Sequence, residues 1–252
     1  SGEGVMTKFP KGSEWWKWDY HVHTPASWKY DDKSENAFQK IADAINASDC
    51  AAFGINDYLT IDGYLKIQSM VKKPVFPVVE FRMTNVLVDK NTGSGPKLNV
   101  HLFFSNEAVL VAKIQAFLMA LQFDDYHGNK RNLTSEEIID FGKQVLPGKS
   151  DLECLRLAAL EKINFDFNAV LKVLREKGLK DKCLIILPYD EYGGIDGINP
   201  KDDGLYKSGL IKLADIIGSS SQKEREYFLG QSTRYSKEEF ELWVGKPKPI
   251  IK

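Results

Sequence analysis

Apolar and polar positions alternate with period two over residues 16–22, which predicts a first strand. Residues 34–47 carry the wider apolar spacing of a helix, and residues 51–55 form a short apolar run that predicts a buried strand ending before a loop at Asp57. These three segments predict a β-α-β unit. Residues 75–79, 83–88 and 98–104 predict three more strands, with Asn91-Thr92-Gly93-Ser94-Gly95-Pro96 as the polar turn between the last two. Residues 106–122 predict a helix with an apolar face through Val109, Ala112, Phe117, Leu118 and Leu121. Thr134-Ser135-Glu136-Glu137 matches a capping box and opens the next helix. A further helix is predicted over residues 165–177, stopped by Gly178, followed by strands over 183–187 and 213–217. Strands alternating with helices favour a parallel, barrel-like α/β sheet, and no internal repeat or low-complexity tract interrupts the pattern.

At 252 residues the chain is long enough to bury a full core. The 35 acidic and 34 basic residues nearly cancel, so composition gives no reason to expect strong duplex DNA binding through counterion release, although a local basic patch stays open. No apolar run reaches the length of a membrane span and the N-terminus lacks a signal-peptide apolar region, so the chain reads as cytoplasmic and without a membrane partner. Ser1-Gly2 reads as a tag remnant within a tail over residues 1–12. Cys50, Cys154 and Cys183 have no C-x-x-C spacing, which argues against a disulfide framework or a structural zinc site. Gly148-Lys149-Ser150 has the wrong glycine spacing and the wrong preceding element for a phosphate-binding loop.

His21 and His23 stand two residues apart in Asp19-Tyr20-His21-Val22-His23-Thr24-Pro25. On a strand that spacing puts both rings on one face, where they can reach one divalent ion, and neutral imidazole suits zinc, iron or manganese. Two solvent-facing polar residues would give the same spacing. Glu80 and Arg82 share a face if their strand continues, so Arg82 serves either as a fork for a substrate phosphate or as a structural ion-pair partner. Asp57 orients a ligand histidine or water from outside the coordination sphere, or caps the turn after its strand. His127 lies in a polar loop and reads as solvated. Trp15, Trp16, Trp18 and Tyr20 could stack on bases, but core packing is the simpler account.

In order along the chain, Asp19-Tyr20-His21-Val22-His23-Thr24, the segment Gly54-Ile55-Asn56-Asp57-Tyr58 with Asp62-Gly63-Tyr64, Pro77-Val78-Val79-Glu80, and Asn99-Val100-His101-Leu102 resemble successive motifs of the PHP (polymerase and histidinol phosphatase) superfamily of metal-dependent phosphoesterases. The resemblance implies a distorted (β/α)7 TIM-like barrel over residues 13–252 with a helical insertion over about residues 105–180. It implies that His21 and His23 hold one metal with Glu80, that Glu80 bridges to a second metal held by His101, and that Asp57 and Arg82 assist hydrolysis of a phosphoester. Zinc, manganese or iron would be the cofactor.

Departures are equally specific. Tyr58 stands where the family carries a histidine ligand, Ile186-Leu187-Pro188-Tyr189-Asp190 replaces a His-Pro strand end, and the closing S-D-x-H motif is missing. Asp190 or Glu191 could substitute for the lost histidine. Two explanations stand: a decayed site, or a chain cut before its last strand-end motif, and the second is the expectation here. Lys11-Gly12-Ser13-Glu14-Trp15, Asp57-Tyr58 and Glu80-Phe81-Arg82 further resemble the N-terminal module of TrlF-like SMC/AAA-type ATPases. That resemblance implies a C-terminal ATPase domain as partner and DNA or RNA as substrate. The alternative is a degenerate, non-catalytic PHP barrel used for regulation or protein contacts.

Overall fold

The first half of the computed structural model alternates strand and helix as β1 (Trp18–Val22), α1 (Ala37–Ala47), β2 (Ala52–Tyr58), α2 (Asp62–Ile67), β3 (Val75–Arg82), β4 (Asn99–Phe104) and α3 (Ala108–Ala120). A small hairpin, β5 (Gln122–Asp124) and β6 (Lys130–Asn132), leads to α4 (Ser135–Val145), α5 (Phe167–Glu176) and β7 (Cys183–Pro188). The chain ends with α6 (Pro200–Leu213), β8 (Ile216–Gly218), α7 (Gln222–Phe228), α8 (Lys237–Trp243) and β9 (Ile250–Ile251). The structure describes residues 16–26, 30–32, 34–84, 98–155 and 162–251.

Seven strands form one sheet in the order β1-β2-β3-β4-β7-β8-β9. β1, β2 and β3 run parallel, β4 runs against both β3 and β7, and β7, β8 and β9 are parallel again. The expected all-parallel sheet is therefore corrected to a mixed one. Because β4 is reversed, its beginning rather than its end lies beside the C-terminal ends of β2 and β3, with Glu80 paired to His101 and Arg82 to Asn99.

Each strand divides its residues between two faces. On the outer face Val79, Phe81, Val100, Leu102, Phe104, Ile185 and Leu187 are fully buried. Phe81 meets Phe117 of α3 and Phe165 edge-on at ring separations of 6.2 and 5.5 Å. Burying side chains of this kind contributes about 1.5–3 kcal/mol each, so this face is the main core. The inner face carries Asn56 and Tyr58 from β2, Glu80 and Arg82 from β3, and Asn99 and His101 from β4. In a flat sheet β1 and β4 would lie about 14 Å apart. The rings of His21 and His101 nevertheless approach to 4.9 Å, so the sheet curls inward as part of a barrel wall. Among the described residues no ladder joins β1 to β9.

Several element boundaries differ from expectation. β2 runs on to Tyr58, which puts Asp57 inside a strand rather than in a loop. β3 continues unbroken to Arg82, because pairing with both β2 and β4 supplies its backbone with partners. The strand expected over residues 83–88 falls mostly outside the described residues, as does the 91–96 turn, and Met83 makes only an isolated bridge to Phe165. The buried stripe of α3 is Leu110, Ile114, Phe117 and Leu118, whereas Val109 is 68% exposed; the choice of Val109 and Ala112 placed that face one position out. Thr134 does cap α4, accepting from the Glu137 amide, but the Glu137 carboxylate binds Arg131 instead of closing the box. A closed capping box occurs at Ser236 and Glu239, opening α8. At the far end of the sheet Lys248, 1% exposed, donates to the carbonyls of Lys212 and Ala214 and so satisfies the C-terminus of α6.

Candidate metal centre

The centre is built around Glu80, a carboxylate 2% exposed on the inner face of β3. Asn56 donates to Oε2 at 3.0 Å and Asn99 to Oε1 at 2.6 Å, and both amides are fully buried. Two neighbouring strands thus clamp the carboxylate in one orientation. Its remaining lone pairs face three imidazoles. The Nε2 atoms of His21 and His23 each lie 3.9 Å from Oε2, and Nε2 of His101 lies 3.6 Å from Oε1.

His21 and His23 reach this point through an irregularity in β1. Asp19 pairs with Phe53 and Val22 with Ile55, so β1 holds one residue more than β2 over the same stretch. The bulge brings Tyr20 inward as well as His21, with ring separations to His101 of 6.3 and 4.9 Å. His23 follows the strand end and stacks on Tyr58, whose ring is 5.9 Å away and almost parallel to it. Close approach is enforced at Gly54, where a Cβ would lie 2.4 Å from the Tyr20 carbonyl oxygen.

Burial sets the charge of the rings. It lowers the pKa of His23 to about 4 against a smaller upward pull from Glu80, and that of His101 to about 3. Both are neutral at pH 7, the form that ligates metals. Nδ1 of His23 and both ring nitrogens of His101 have no hydrogen-bond partner among the described residues. Among the described residues the basic groups within 4.0 Å of the buried Glu80 carboxylate are imidazoles and not ammonium or guanidinium groups.

A carboxylate is costly to bury unless a cation accompanies it. A divalent ion fits this donor set. Two nitrogens bound to one tetrahedral ion at about 2.0–2.1 Å each lie about 3.3 Å apart, and the Nε2 atoms of His21 and His23 are separated by 3.1 Å. Within the described residues His21, His23 and Glu80 form a group whose ligand atoms all lie within 4.8 Å of one another.

The other expected residues take distinct places. Asp57 faces away from Glu80 and accepts from the amide and hydroxyl of Thr24 at 2.9 and 2.8 Å. It thereby ties down the residue after His23, and it touches neither a histidine nor the carboxylate. Burial raises its pKa to about 7. Gly63 makes room for this clamp, since a Cβ there would sit 2.0 Å from Asp57 Oδ2. Arg82 does lie on the Glu80 face of β3, 4% exposed, with Nη2 donating to the Tyr192 hydroxyl at 3.2 Å. Its Nε has no partner among the described residues.

Of the two acidic substitutes, Asp190 is engaged by Ser219, while Glu191 Oε2 and the Tyr20 hydroxyl converge over Gly218, within 3.6 and 3.4 Å of where its Cβ would stand. Leu187 points into the outer core. His127 is exposed, as expected. Core packing does not hold for the tryptophans: Trp16 and Trp18 are 40% and 52% exposed, Trp18 stacks on Phe76, and Trp15 lies outside the described residues. Sequence reasoning missed Asn56 and Asn99. The signal that could have found them is an asparagine inside each of two apolar strands, a residue that strands disfavour.

The centre belongs to a broad class, histidine and carboxylate ligands gathered on the inner wall of a curled α/β sheet. No protein-family model matches the chain, and no curated protein matches it. Among solved structures it is similar to a Bifidobacterium adolescentis protein assigned as a metal-dependent phosphoesterase, with a TM-score of 0.36 and 12% identity over 69% of this chain and 67% of that one. A likeness of that depth leaves function to be read from the side chains. No helix among the described residues is long and apolar enough to cross a membrane.

Proposed function

We propose that this chain is a metal-dependent hydrolase of phosphoesters, with His21, His23 and Glu80 holding a divalent transition ion and His101 extending the set on the far side of the carboxylate. The observation that carries this reading is the buried Glu80, fixed by two amides and facing three imidazole nitrogens, with no ammonium or guanidinium group among the described residues within 4.0 Å. Imidazole with carboxylate suits zinc, manganese or iron. When bound, the metal would supply Lewis acidity toward a phosphoryl oxygen and a lowered pKa for attacking water.

The chain's own residues do the rest. Asn56 and Asn99 hold the carboxylate in position, and Asp57 fixes the turn that carries His23. Arg82 offers a guanidinium, held by Tyr192, to a substrate phosphate, which favours an anion beside the centre. In hydrolysis the phosphorus–alkoxide bond breaks, water leaves its hydroxyl on phosphorus, and its proton ends on the departing alcohol.

Purified protein is expected to contain metal by elemental analysis, and the His21→Ala, His23→Ala double variant to lose most of it. Manganese-loaded protein should hydrolyse a generic phosphoester in a Glu80-dependent manner. Arg82→Ala should weaken phosphate binding by calorimetry with metal content unchanged. Equal metal in wild type and the double variant would overturn the proposal.

A further inference from the structure

The loop that leaves β7 lies against two residues of the inner face at once. Tyr192 accepts from Nη2 of Arg82 at 3.2 Å, and the Arg82 guanidinium stands 5.5 Å from the centroid of its ring. The next residue, Gly193, accepts through its carbonyl from the backbone N–H of Asn99 at 2.8 Å. It also lies flush against the Asn99 side chain. A Cβ on Gly193 would stand 2.5 Å from Asn99 Cγ and 2.7 Å from Nδ2, whereas non-bonded heavy atoms settle at about 3.5–4.0 Å. Nδ2 is the atom that donates to Glu80 Oε1 at 2.6 Å.

Gly193 has φ of 74°, so its conformation as well as its surroundings call for glycine. The loop is held on either side of it. The Gly194 amide donates to the Glu191 carbonyl at 2.9 Å, the Asp196 amide to the Tyr189 carbonyl at 2.9 Å, and the Ser219 hydroxyl to Asp190 at 3.0 Å. A Cβ on Gly194 would lie 2.1 Å from the Tyr189 carbonyl oxygen, so the turn is closed tightly on itself. A side chain added at Gly193 is therefore accommodated more readily by rotating the Asn99 amide off Glu80 than by moving this backbone.

We infer that this loop is a positioning element of the metal centre: Gly193 keeps the Asn99 amide on the Glu80 carboxylate, and Tyr192 keeps the Arg82 guanidinium in place beside it. One short loop then fixes the carboxylate and the anion-binding group relative to each other. The inference rests on the metal-dependent reading above. Gly193 has no side-chain atom to offer an ion and acts only through Asn99 and Glu80. Groups that hydrogen-bond to a ligating side chain set metal affinity by about 10- to 100-fold, which makes the effect of displacing Asn99 measurable.

The test measures manganese affinity of the whole chain by calorimetry. Gly193→Ala is expected to weaken it by about tenfold or more. Gly128→Ala is the control for backbone strain, because Gly128 has φ of 80° with nothing within 4 Å of where a Cβ would stand, and it should leave manganese affinity unchanged. Asn99→Gly removes the side chain that Gly193 touches, so Gly193→Ala made in that background should cost no further manganese affinity. Tyr192 is 55% exposed, so Tyr192→Phe should fold whatever Gly193→Ala does. It keeps the ring, removes the hydroxyl, and should weaken phosphate binding to the manganese-loaded protein by about fivefold, the scale of one hydrogen bond, without a matching loss of manganese. Wild-type manganese affinity in Gly193→Ala, an equal loss in Gly128→Ala, losses that add to that of Asn99→Gly, or wild-type phosphate affinity in Tyr192→Phe would overturn the inference and leave the metal-dependent reading standing. Wild-type protein that binds no manganese would overturn both.

Discussion

The two faces of β3 and β4 have opposite characters, although their residues alternate along the same short strands. Outward, Val79, Phe81, Val100, Leu102 and Phe104 are fully buried in a continuous apolar core. Inward, Glu80, Arg82, Asn99 and His101 are almost as deeply buried, yet His101 and Arg82 keep polar atoms without partners among the described residues. Burial alone therefore does not distinguish core from site. The distinction lies in whether each buried group has its needs met by the fold, and among the described residues the inner face leaves an imidazole and a guanidinium nitrogen without partners. That is the pattern expected where stability has been traded for function.

The sharpest break of this comparison is a pair of substitutions, one on each face of the neighbouring strands β3 and β4. Phe81→Ala removes a fully buried ring that contacts two other aromatics and should destabilise the protein by about 3–5 kcal/mol in urea unfolding. A loss under about 1 kcal/mol would mean that the outer face is not the main core. On the inner face His101→Leu should act in the opposite sense. It removes two unpartnered buried nitrogens and should stabilise the metal-free protein by about 1–3 kcal/mol while lowering metal affinity. Destabilisation of the metal-free form would show that the ring is satisfied after all.

A smaller effect tests the Asp57–Thr24 clamp against the histidines. Asp57 has a folded pKa raised to about 7, so the folded state holds its proton more tightly than the unfolded chain. Its contribution is full below the unfolded value and is lost as pH rises from about 4 to 7, with a slope of at most about 1.4 kcal/mol per pH unit. His23 and His101 have lowered values, about 4 and 3, so their contribution is full above the unfolded value near 6.5 and is lost as pH falls toward 3. Asp57→Asn should remove the first trend and retain the second, making stability rise more steeply between pH 4 and 6.5. Identical pH profiles for wild type and variant would mean that Asp57 is ionised in the folded protein throughout this range.

Much of the site was legible in the chain. The H-x-H pair, Glu80 and His101 stand out because charged or imidazole side chains inside apolar runs demand a reason, and the structure brings all four together. The position of Arg82 on the Glu80 face followed from simple alternation along β3. What could not be read was anything fixed by tertiary pairing. The reversal of β4 depends on which strands it joins, and the alternation of Asn99–Phe104 between two faces is the same in either direction. On α3 the expected Phe117, Leu118 and Leu121 are buried, whereas Val109 and Ala112 were misplaced because nearly every residue of that helix is apolar and periodicity offers little contrast. Asp57 looked like a turn residue because β2 ends in the polar run Asn56-Asp57-Tyr58, in which Asn56 and Tyr58 face inward to Glu80 and Asp57 faces away to Thr24.

The irregularity in β1 has a consequence for how the chain can change length. Because Asp19 and Val22 hold their partners on either side of it, two residues, Tyr20 and His21, stand opposite the single Gly54. A residue lost from this pair would restore plain alternation and turn one of the two side chains away from the site, and a single-residue gap in β3 would likewise exchange its two faces and send Glu80 into the hydrocarbon interior. Evolutionary drift and protein engineering should find both the first and the third strand intolerant of a change in length.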